Sequence, residues 1–422
     1  MKRKDARLTV SKGTLTFHVS RIMNLLFKHI RWCSEGREQS GDLRIGRGRV
    51  LETGHGLAPH RRERVIDGVG YLALPGLINA HDHLDLNLFP RLGDPPYPNF
   101  YAWGRAIYHP EKTPIRDILR VPLADRLGWS AYKQLISGVT TVVHHNPYHR
   151  RIFGRRFPVK VLKRYGWSHS LGHSDDVAGT FARSRGRPYL IHAAEGVDAA
   201  SSDEIEQLDR LGVLGPNTVL VHGIALTPAQ IHKLAERKAS VVWCPSSNVH
   251  LYGQTAPIDA LMPAVDVALG TDATLSGAPT LWDDLHAAQA TGLAAPADLL
   301  DMVTVNAASI FGLEDGRGTL RPNAPADLIL LPDTGAPAAE TLTTATPASV
   351  ALVLVDGTPR LADPAWASRL DLGPPNTFVD GAPRWMTGSI QALRERIARM
   401  VDEEILAQNP LWTMFEETVP VI

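Results

Sequence analysis

Residues 74–83 read LPGLINAHDH, an apolar run that ends in two histidines one residue apart. The run is typical of a buried strand, and along a strand the side chains of residues i and i+2 point to the same side. His81 and His83 can therefore bind one metal ion together. An H-x-H triplet also occurs without a metal, so the interpretation depends on what the other strands present.

Three further predicted strands end in residues able to bind a metal or move a proton, and one ends in a polar turn. Each strand is a short run rich in β-branched residues. The four segments are YLIHAAE at 189–195, VLVHG at 219–223, WCPSSN at 243–248 and VALGTD at 267–272. Taken singly, each has an ordinary alternative, such as a core histidine, a solvated glutamate or a helix cap.

These strands alternate with helical stretches, which is typical of parallel strands joined by crossover helices. The predicted fold class is therefore α/β, with a (β/α)8 TIM-like barrel. In such a barrel the carboxyl ends of all strands open onto one face, where active sites lie. His81, His83, His192, His222 and Asp272 would then converge on one point, which makes a functional site the better interpretation.

Strand-rich segments broken by glycines flank the barrel and predict a small β-sandwich domain built from both chain ends. Apolar residues from Ile390 to Ile405 recur at helical spacing and predict an amphipathic helix, with Pro410 ending it. The expected domains are an N-terminal arm at 1–23, the composite sandwich at 24–74 and 315–362, the barrel at 75–314, and a C-terminal helical tail at 363–422.

Composition excludes several classes of protein. The 44 basic and 44 acidic side chains give no net charge, which argues against a nucleic-acid partner. No continuous apolar run reaches the length of about 18 residues that a membrane span requires. The only cysteines, Cys33 and Cys244, exclude a disulfide scaffold and fit the reducing cytoplasm.

The order of motifs resembles the amidohydrolase superfamily. Within it, the chain is most similar to the metal-dependent deaminases and chlorohydrolases, the group that includes guanine, cytosine and adenosylhomocysteine deaminases. The motifs that carry the resemblance are PGLINAHDH at 75–83, GVTTV at 138–142, HAAE at 192–195, VHG at 221–223, CPSSN at 244–248, LGTD at 269–272, GTL at 318–320 and ADL at 326–328.

The resemblance implies a barrel enzyme with one divalent metal ion, Zn²⁺ or alternatively Fe²⁺. By motif, the metal ligands would be His81, His83, His192 and Asp272, and the catalytic residues Glu195, His222 and Asp272. The implied reaction is hydrolysis of a carbon–nitrogen bond other than a peptide bond. Hydrolytic deamination of an amino-heterocycle by a metal-activated hydroxide is the expected form.

The expected partner is a small-molecule substrate, with neither nucleic acid nor membrane involved; a homodimer or higher homo-oligomer remains open. The loop at 87–109 is rich in aromatic residues, which suits stacking on a flat heterocycle, although a lid packed on itself would look the same. The candidate substrate-binding residues are Arg91, Trp103, His145, Asn248 and His250.

Two alternatives stay open at this point. One is a two-metal cyclic amidase of the hydantoinase or dihydroorotase type, which would need a metal-bridging lysine such as Lys160 or Lys163. The other is a non-catalytic metal-binding barrel. The segment 144–149 (HHNPYH), with His169 and His173, has no counterpart that the resemblance explains. Any of these histidines could contact substrate or a second metal, although surface or packing roles are the more ordinary expectation.

Overall fold

The computed structural model describes residues 22–417, so most of the predicted arm at 1–23 lies outside the described residues. The described chain begins with five strands. They are β1 (Leu25–Ser34), β2 (Arg37–Gly46), β3 (Arg49–Gly54), β4 (Arg64–Asp67) and β5 (Tyr71–Pro75). Strand β1 pairs antiparallel with β2 and parallel with β4 and β5, which forms the first half of a sheet.

Eight parallel strands follow and form the barrel. They are β6 (Leu77–Asp82), β7 (Val139–His144), β8 (Lys160–Val161), β9 (Gly166–Trp167), β10 (Tyr189–Ala193), β11 (Thr218–His222), β12 (Ser240–Trp243) and β13 (Val267–Leu269). Continuous ladders run from β6 to β8 and from β9 to β13. The ring closes between β13 and β6, where the Thr271 amide donates to the His81 carbonyl at 2.9 Å and Asp82 bridges Asp272.

The third and fourth barrel strands are only two residues long, and no ladder joins β8 to β9 within residues 22–417. Neither the segment from β7 to β8 nor the one from β8 to β9 contains a helix. This agrees with the short sequence distance between the second strand and His192. With this compression His145, which directly follows β7, lies in a buried group with His81, His83 and His192.

Helices connect the remaining strands. In the barrel region they are α1 (Phe100–Ile107), α2 (Ile115–Leu119), α3 (Leu123–Ile136), α4 (Val177–Ser184), α5 (Ala199–Arg210), α6 (Pro228–Arg237), α7 (Pro245–Tyr252), α8 (Ile258–Leu261), α9 (Leu281–Thr291), α10 (Pro296–Met302) and α11 (Val305–Ile310). Helix α7 begins directly after β12, so the predicted polar turn at 243–248 is the first turn of a helix with Pro245 at its start.

The chain then returns to the first sheet. The returning elements are β14 (Leu328–Pro332), α12 (Ala338–Thr343), β15 (Leu352–Val355), β16 (Thr358–Ala362), α13 (Pro364–Arg369), β17 (Thr377–Val379) and β18 (Ala382–Met386). Strand β14 pairs with β5, which completes a ten-stranded sheet from both ends of the chain. The predicted fold class, a barrel with a β-sandwich domain from both chain ends, is confirmed.

The segment expected as a helical tail, 363–422, also contains the β17–β18 hairpin, and β18 pairs with β16. The predicted helix from Ile390 to Ile405 divides into α14 (Ile390–Ala398) and α15 (Glu403–Leu406). Pro410 does not end a helix; it is the first residue of α16 (Pro410–Thr413), a position that tolerates the missing N–H.

The C-terminal segment packs on the body of the barrel. Arg396 binds Asp125 of α3 at 2.9 Å, and the ring of Trp412 lies 5.1 Å from that of Trp129. Among residues 22–417, no helix combines the length and apolar character needed to cross a bilayer.

Candidate metal centre and active site

The four side chains expected as metal ligands meet at the carboxyl end of the barrel. The Nε2 atom of His192 lies 3.3 Å from His81 Nε2 and 3.2 Å from His83 Nε2. The Oδ1 atom of Asp272 lies 3.5 Å from His81 Nε2 and 3.6 Å from His83 Nε2. All four residues are buried.

These separations fit a divalent ion. Two ligand atoms about 2.0–2.1 Å from one tetrahedral ion lie about 3.4 Å apart, which is close to the separations between the ring nitrogens. Burial lowers the pKa of His81 to about 4 and that of His192 well below its ordinary value, so both rings stay neutral, the form that binds metals. The donor set therefore suits a metal that the structure does not contain.

Two of these side chains are held by hydrogen bonds that aim one atom at the centre. The Nδ1–H of His192 donates to the His169 carbonyl at 2.7 Å, which leaves the Nε2 lone pair facing the cluster. The Oδ2 atom of Asp272 accepts from Ser247 at 2.9 Å and from Ser276 at 2.6 Å, which leaves Oδ1 facing the histidines.

The backbone at three strand ends is bent in the same unusual way. Ala194, His222 and Asp272 follow or end β10, β11 and β13, and their φ angles are 52°, 79° and 56°. Non-glycine residues rarely adopt this left-handed conformation, and where they do the strain often belongs to a functional site. At Gly270 a Cβ atom would lie 2.8 Å from the backbone nitrogen of His81, so only glycine allows β13 to approach β6 this closely.

Glu195 lies beside this cluster with a second set of partners. Its Oε1 atom accepts from Tyr252 Oη at 2.7 Å and lies 3.5 Å from His222 Nε2. The Nδ1–H of His222 donates to Asn248 Oδ1 at 2.8 Å, so its Nε2 faces Glu195. Burial raises the pKa of Glu195 to about 7, which lets the carboxyl group hold a proton near neutral pH.

Comparison with known proteins agrees with this arrangement. A profile of the amidohydrolase family matches residues 170–360. The 5'-deoxyadenosine deaminase of Methanothermobacter thermautotrophicus is 26% identical over 351 residues, which are 70% of this chain and 82% of that protein. The 5-methylthioadenosine/S-adenosylhomocysteine deaminase of Halobacterium salinarum is 27% identical over 345 residues, 67% of this chain and 78% of that protein. By these matches the chain is similar to the amidohydrolase family.

Solved structures share the fold of this chain. An adenosine deaminase from Xanthomonas campestris with bound zinc superposes with a TM-score of 0.67 at 20% identity, over 89% of this chain and 99% of that one. The atrazine chlorohydrolase of Arthrobacter aurescens, complexed with zinc, gives a TM-score of 0.65 at 18% identity, over 79% and 94% of the two chains. These likenesses confirm the barrel with its sandwich domain.

A buried ion pair, which no sequence pattern indicates, lies behind the histidine cluster. The alternation that aims His81 and His83 at the barrel mouth turns Asp82 the other way, towards α3. There its Oδ2 atom accepts from Lys133 Nζ at 2.9 Å, and both side chains are fully buried. Further donors to Asp82 are Asn79, Asn87, Gln134 and Thr271.

Sequence reasoning also missed Tyr252. It stands on α7 four residues after Asn248, so the two share one helix face and reach Glu195 and His222 together. That spacing could have indicated Tyr252, because a helix was the alternative interpretation of the segment.

The histidines after β7 and β9 differ in exposure, and His173 is exposed. His145 and His144 are fully buried, and one nitrogen each from His81, His83, His145 and His192 lie within 4.8 Å of one another. The His169 ring lies 4.7 Å from that of His192. The compressed third and fourth elements bring His145 and His169 to the barrel mouth. The surface role is wrong for the fully buried His145, whereas a packing role or a contact with substrate stays a prediction for both residues.

The other candidate substrate-binding residues lie around the same mouth with differing exposure. Arg91 is exposed and donates to the Gly277 carbonyl at 3.1 Å, and the partly buried His250 is near it. Trp103 is buried against Tyr252, and its indole N–H donates to the Leu92 carbonyl at 2.9 Å. Asn248 holds His222. Their substrate contacts remain predictions.

Proposed function

We propose that this protein is a metal-dependent hydrolase of the amidohydrolase type that deaminates an amino-substituted heterocycle. The observation that carries the proposal is the placement of Glu195 and His222 beside the cluster of His81, His192 and Asp272. In this proposal the ligands of one divalent ion are His81, His83, His192 and Asp272, and zinc is the first ion to test, with Fe²⁺ as the alternative. When bound, the ion lowers the pKa of water to about 7 and supplies a nucleophile at neutral pH.

Side chains of the protein carry out the proton transfers and stabilise the developing charge. Glu195, protonated near neutral pH, delivers a proton from its carboxyl group to a ring nitrogen of the substrate. Asp272 Oδ1 takes the proton of the attacking water, since serine hydroxyls occupy only its other oxygen. His222, fixed by Asn248, faces the carbon under attack and stabilises the charge that develops there.

The substrate class we propose is a purine nucleoside of the adenosine type. Two curated relatives carry the names of deaminases for 5'-deoxyadenosine and 5-methylthioadenosine/S-adenosylhomocysteine. An aromatic wall is present, because the ring of Phe100 lies 5.0 Å from His169 and 6.4 Å from His192. A flat base can stack on such a wall. A cytoplasmic location and assembly into a homo-oligomer stay predictions.

The positions of Lys160 and Lys163 do not support the alternative of a two-metal cyclic amidase, which needs a lysine that bridges the metals. Lys160 pairs with Asp356, between β15 and β16 in the sandwich, and also lies 3.7 Å from Asp327 Oδ2. Lys163 is exposed. Lys160 is thus engaged by two carboxylates of the sandwich domain.

The test is ammonia release from a panel of adenosine derivatives, free purines, pyrimidines, triazines and pterins. The zinc-loaded protein is expected to release ammonia from adenosine-type nucleosides, with the absorbance change of a 6-amino group replaced by oxygen. The chelated protein is expected to be inactive. Release from another heterocycle would correct the substrate class, and no release from any of them, with metal bound, would contradict deamination.

Replacing Tyr252 by Phe should move the pH profile of the reaction. The tyrosine hydroxyl donates to Glu195 and stabilises the carboxylate, which lowers the pKa of Glu195. Without that bond the pKa of Glu195 rises, so its protonated form persists to higher pH. The fall of kcat/KM on the alkaline side should therefore shift upward in Tyr252→Phe. A profile that does not move, or moves downward, would contradict this link.

A further inference from the structure

His145 is buried in the histidine cluster with one ring nitrogen unused. Its Nε2 lies 2.9 Å from the Ser168 carbonyl, and its Nδ1 has no hydrogen-bond partner among residues 22–417. Its ring centre is 4.3 Å from that of His192 and 5.0 Å from that of His81. A buried polar atom without a partner is uncommon and calls for a ligand.

The hydrogen bond to Ser168 determines which nitrogen is free. A carbonyl oxygen only accepts, so Nε2 carries the proton and Nδ1 carries a lone pair. His192 is held in the same way, because its Nδ1–H donates to the carbonyl of the next residue, His169. One strand end, just after β9, thus orients two imidazoles, and each keeps one lone pair in the cluster.

We propose that His145 Nδ1 is an additional ligand of the metal, beside His81, His83, His192 and Asp272. This rests on the metal site of the proposed function and revises the substrate-binding role expected for His145. Four imidazoles and a carboxylate give five protein donors, more than the tetrahedral arrangement usual for zinc. A site of this kind favours an ion that accepts five or six ligands, such as Fe²⁺ or Co²⁺.

The test variant is His145→Phe, and its matched control is His169→Phe. Both retain an aromatic ring against His192, but only the first removes a nitrogen of the four-histidine group. Metal affinity is measured by chelator competition, and the visible spectrum is recorded for the Co²⁺-loaded proteins. We expect His145→Phe to lose at least about tenfold in affinity, since even residues behind the ligands are worth that much. Its Co²⁺ bands should strengthen towards those of a four-coordinate ion, while His169→Phe retains both properties.

X-ray absorption of the metal-loaded wild type counts the imidazoles without any variant, and four are expected. This count decides the matter if His145→Phe does not fold. Three imidazoles, or unchanged affinity and Co²⁺ spectrum in His145→Phe, would overturn the proposal and return His145 to a substrate contact. Four imidazoles without ammonia release would uphold His145 as a ligand and contradict the proposed function. Three imidazoles together with ammonia release would support the proposed function and contradict His145 as a ligand.

Discussion

Replacing Glu195 by Gln is expected to lower kcat by about 10²–10⁴-fold, the usual contribution of a general acid or base. The amide has the shape of the carboxyl group and can still accept from Tyr252, but it can no longer release and regain a proton. The loss should therefore appear in kcat, while the metal content and the thermal midpoint of unfolding remain close to those of the wild type.

The raised pKa of Glu195 explains why the loss of its proton should lower kcat. Burial raises the pKa of Glu195 to about 7, so a large fraction of the group is protonated at neutral pH and ready to donate. Its position 3.5 Å from His222 Nε2 places the proton beside the proposed reaction centre.

Glu204→Gln is the matched control, because Glu204 is also a buried glutamate near β10, bound to Tyr101 Oη and to the Ala194 amide. It lies outside the histidine cluster, so we expect a much smaller change in kcat. Equal losses in both variants would point to a general disturbance of β10. A kcat within about tenfold of wild type in Glu195→Gln would contradict its role in proton transfer.

Replacing Lys133 by Met is expected to destabilise the fold by about 3–5 kcal/mol, the range found when one partner of a buried ion pair is removed. Asp82 and Lys133 are fully buried, so the variant leaves the carboxylate without its cation in a medium that solvates charge poorly. The amides and hydroxyl that also contact Asp82 lessen this loss but carry no charge. Urea denaturation of the metal-free proteins measures the difference.

The control is Lys233→Met, which removes a lysine paired with Glu206 on the surface. An exposed pair contributes about 0–1 kcal/mol, so this variant should unfold close to the wild type. The double variant Lys133→Met with Asp82→Asn removes both buried charges and should recover part of the lost stability. If Lys133→Met were no less stable than Lys233→Met, the pair would not hold β6 to α3.

The order of strands and helices was accessible from the sequence because hydrophobic runs, glycines and prolines are local signals. The strands leading to His192, His222 and Asp272 lie where the β-branched runs indicate. The convergence of these residues followed from a general property of barrels, that all strand ends open on one face.

The features that the sequence did not predict depend on contacts between distant segments. Lys133 has the sequence appearance of a helix-surface lysine, and only the packing of α3 on β6 places it against Asp82. The sequence offers His145 only as a candidate substrate contact, because its place in the histidine cluster depends on the missing helices after β7 and β8. The division of the predicted C-terminal helix also follows from packing, since Asn409 just before α16 donates to the Asn87 and Phe89 carbonyls.

The most direct test of the central claim is a metal titration of the chelated protein, with bound metal and ammonia release measured in the same samples. The substrate is the most reactive nucleoside of the panel. If one ion drives the hydrolysis, ammonia release is expected to be absent without metal, to rise in proportion to bound ion and to level off at one ion per chain. Full activity in the metal-free protein, or a plateau reached only at two ions per chain, would contradict the account.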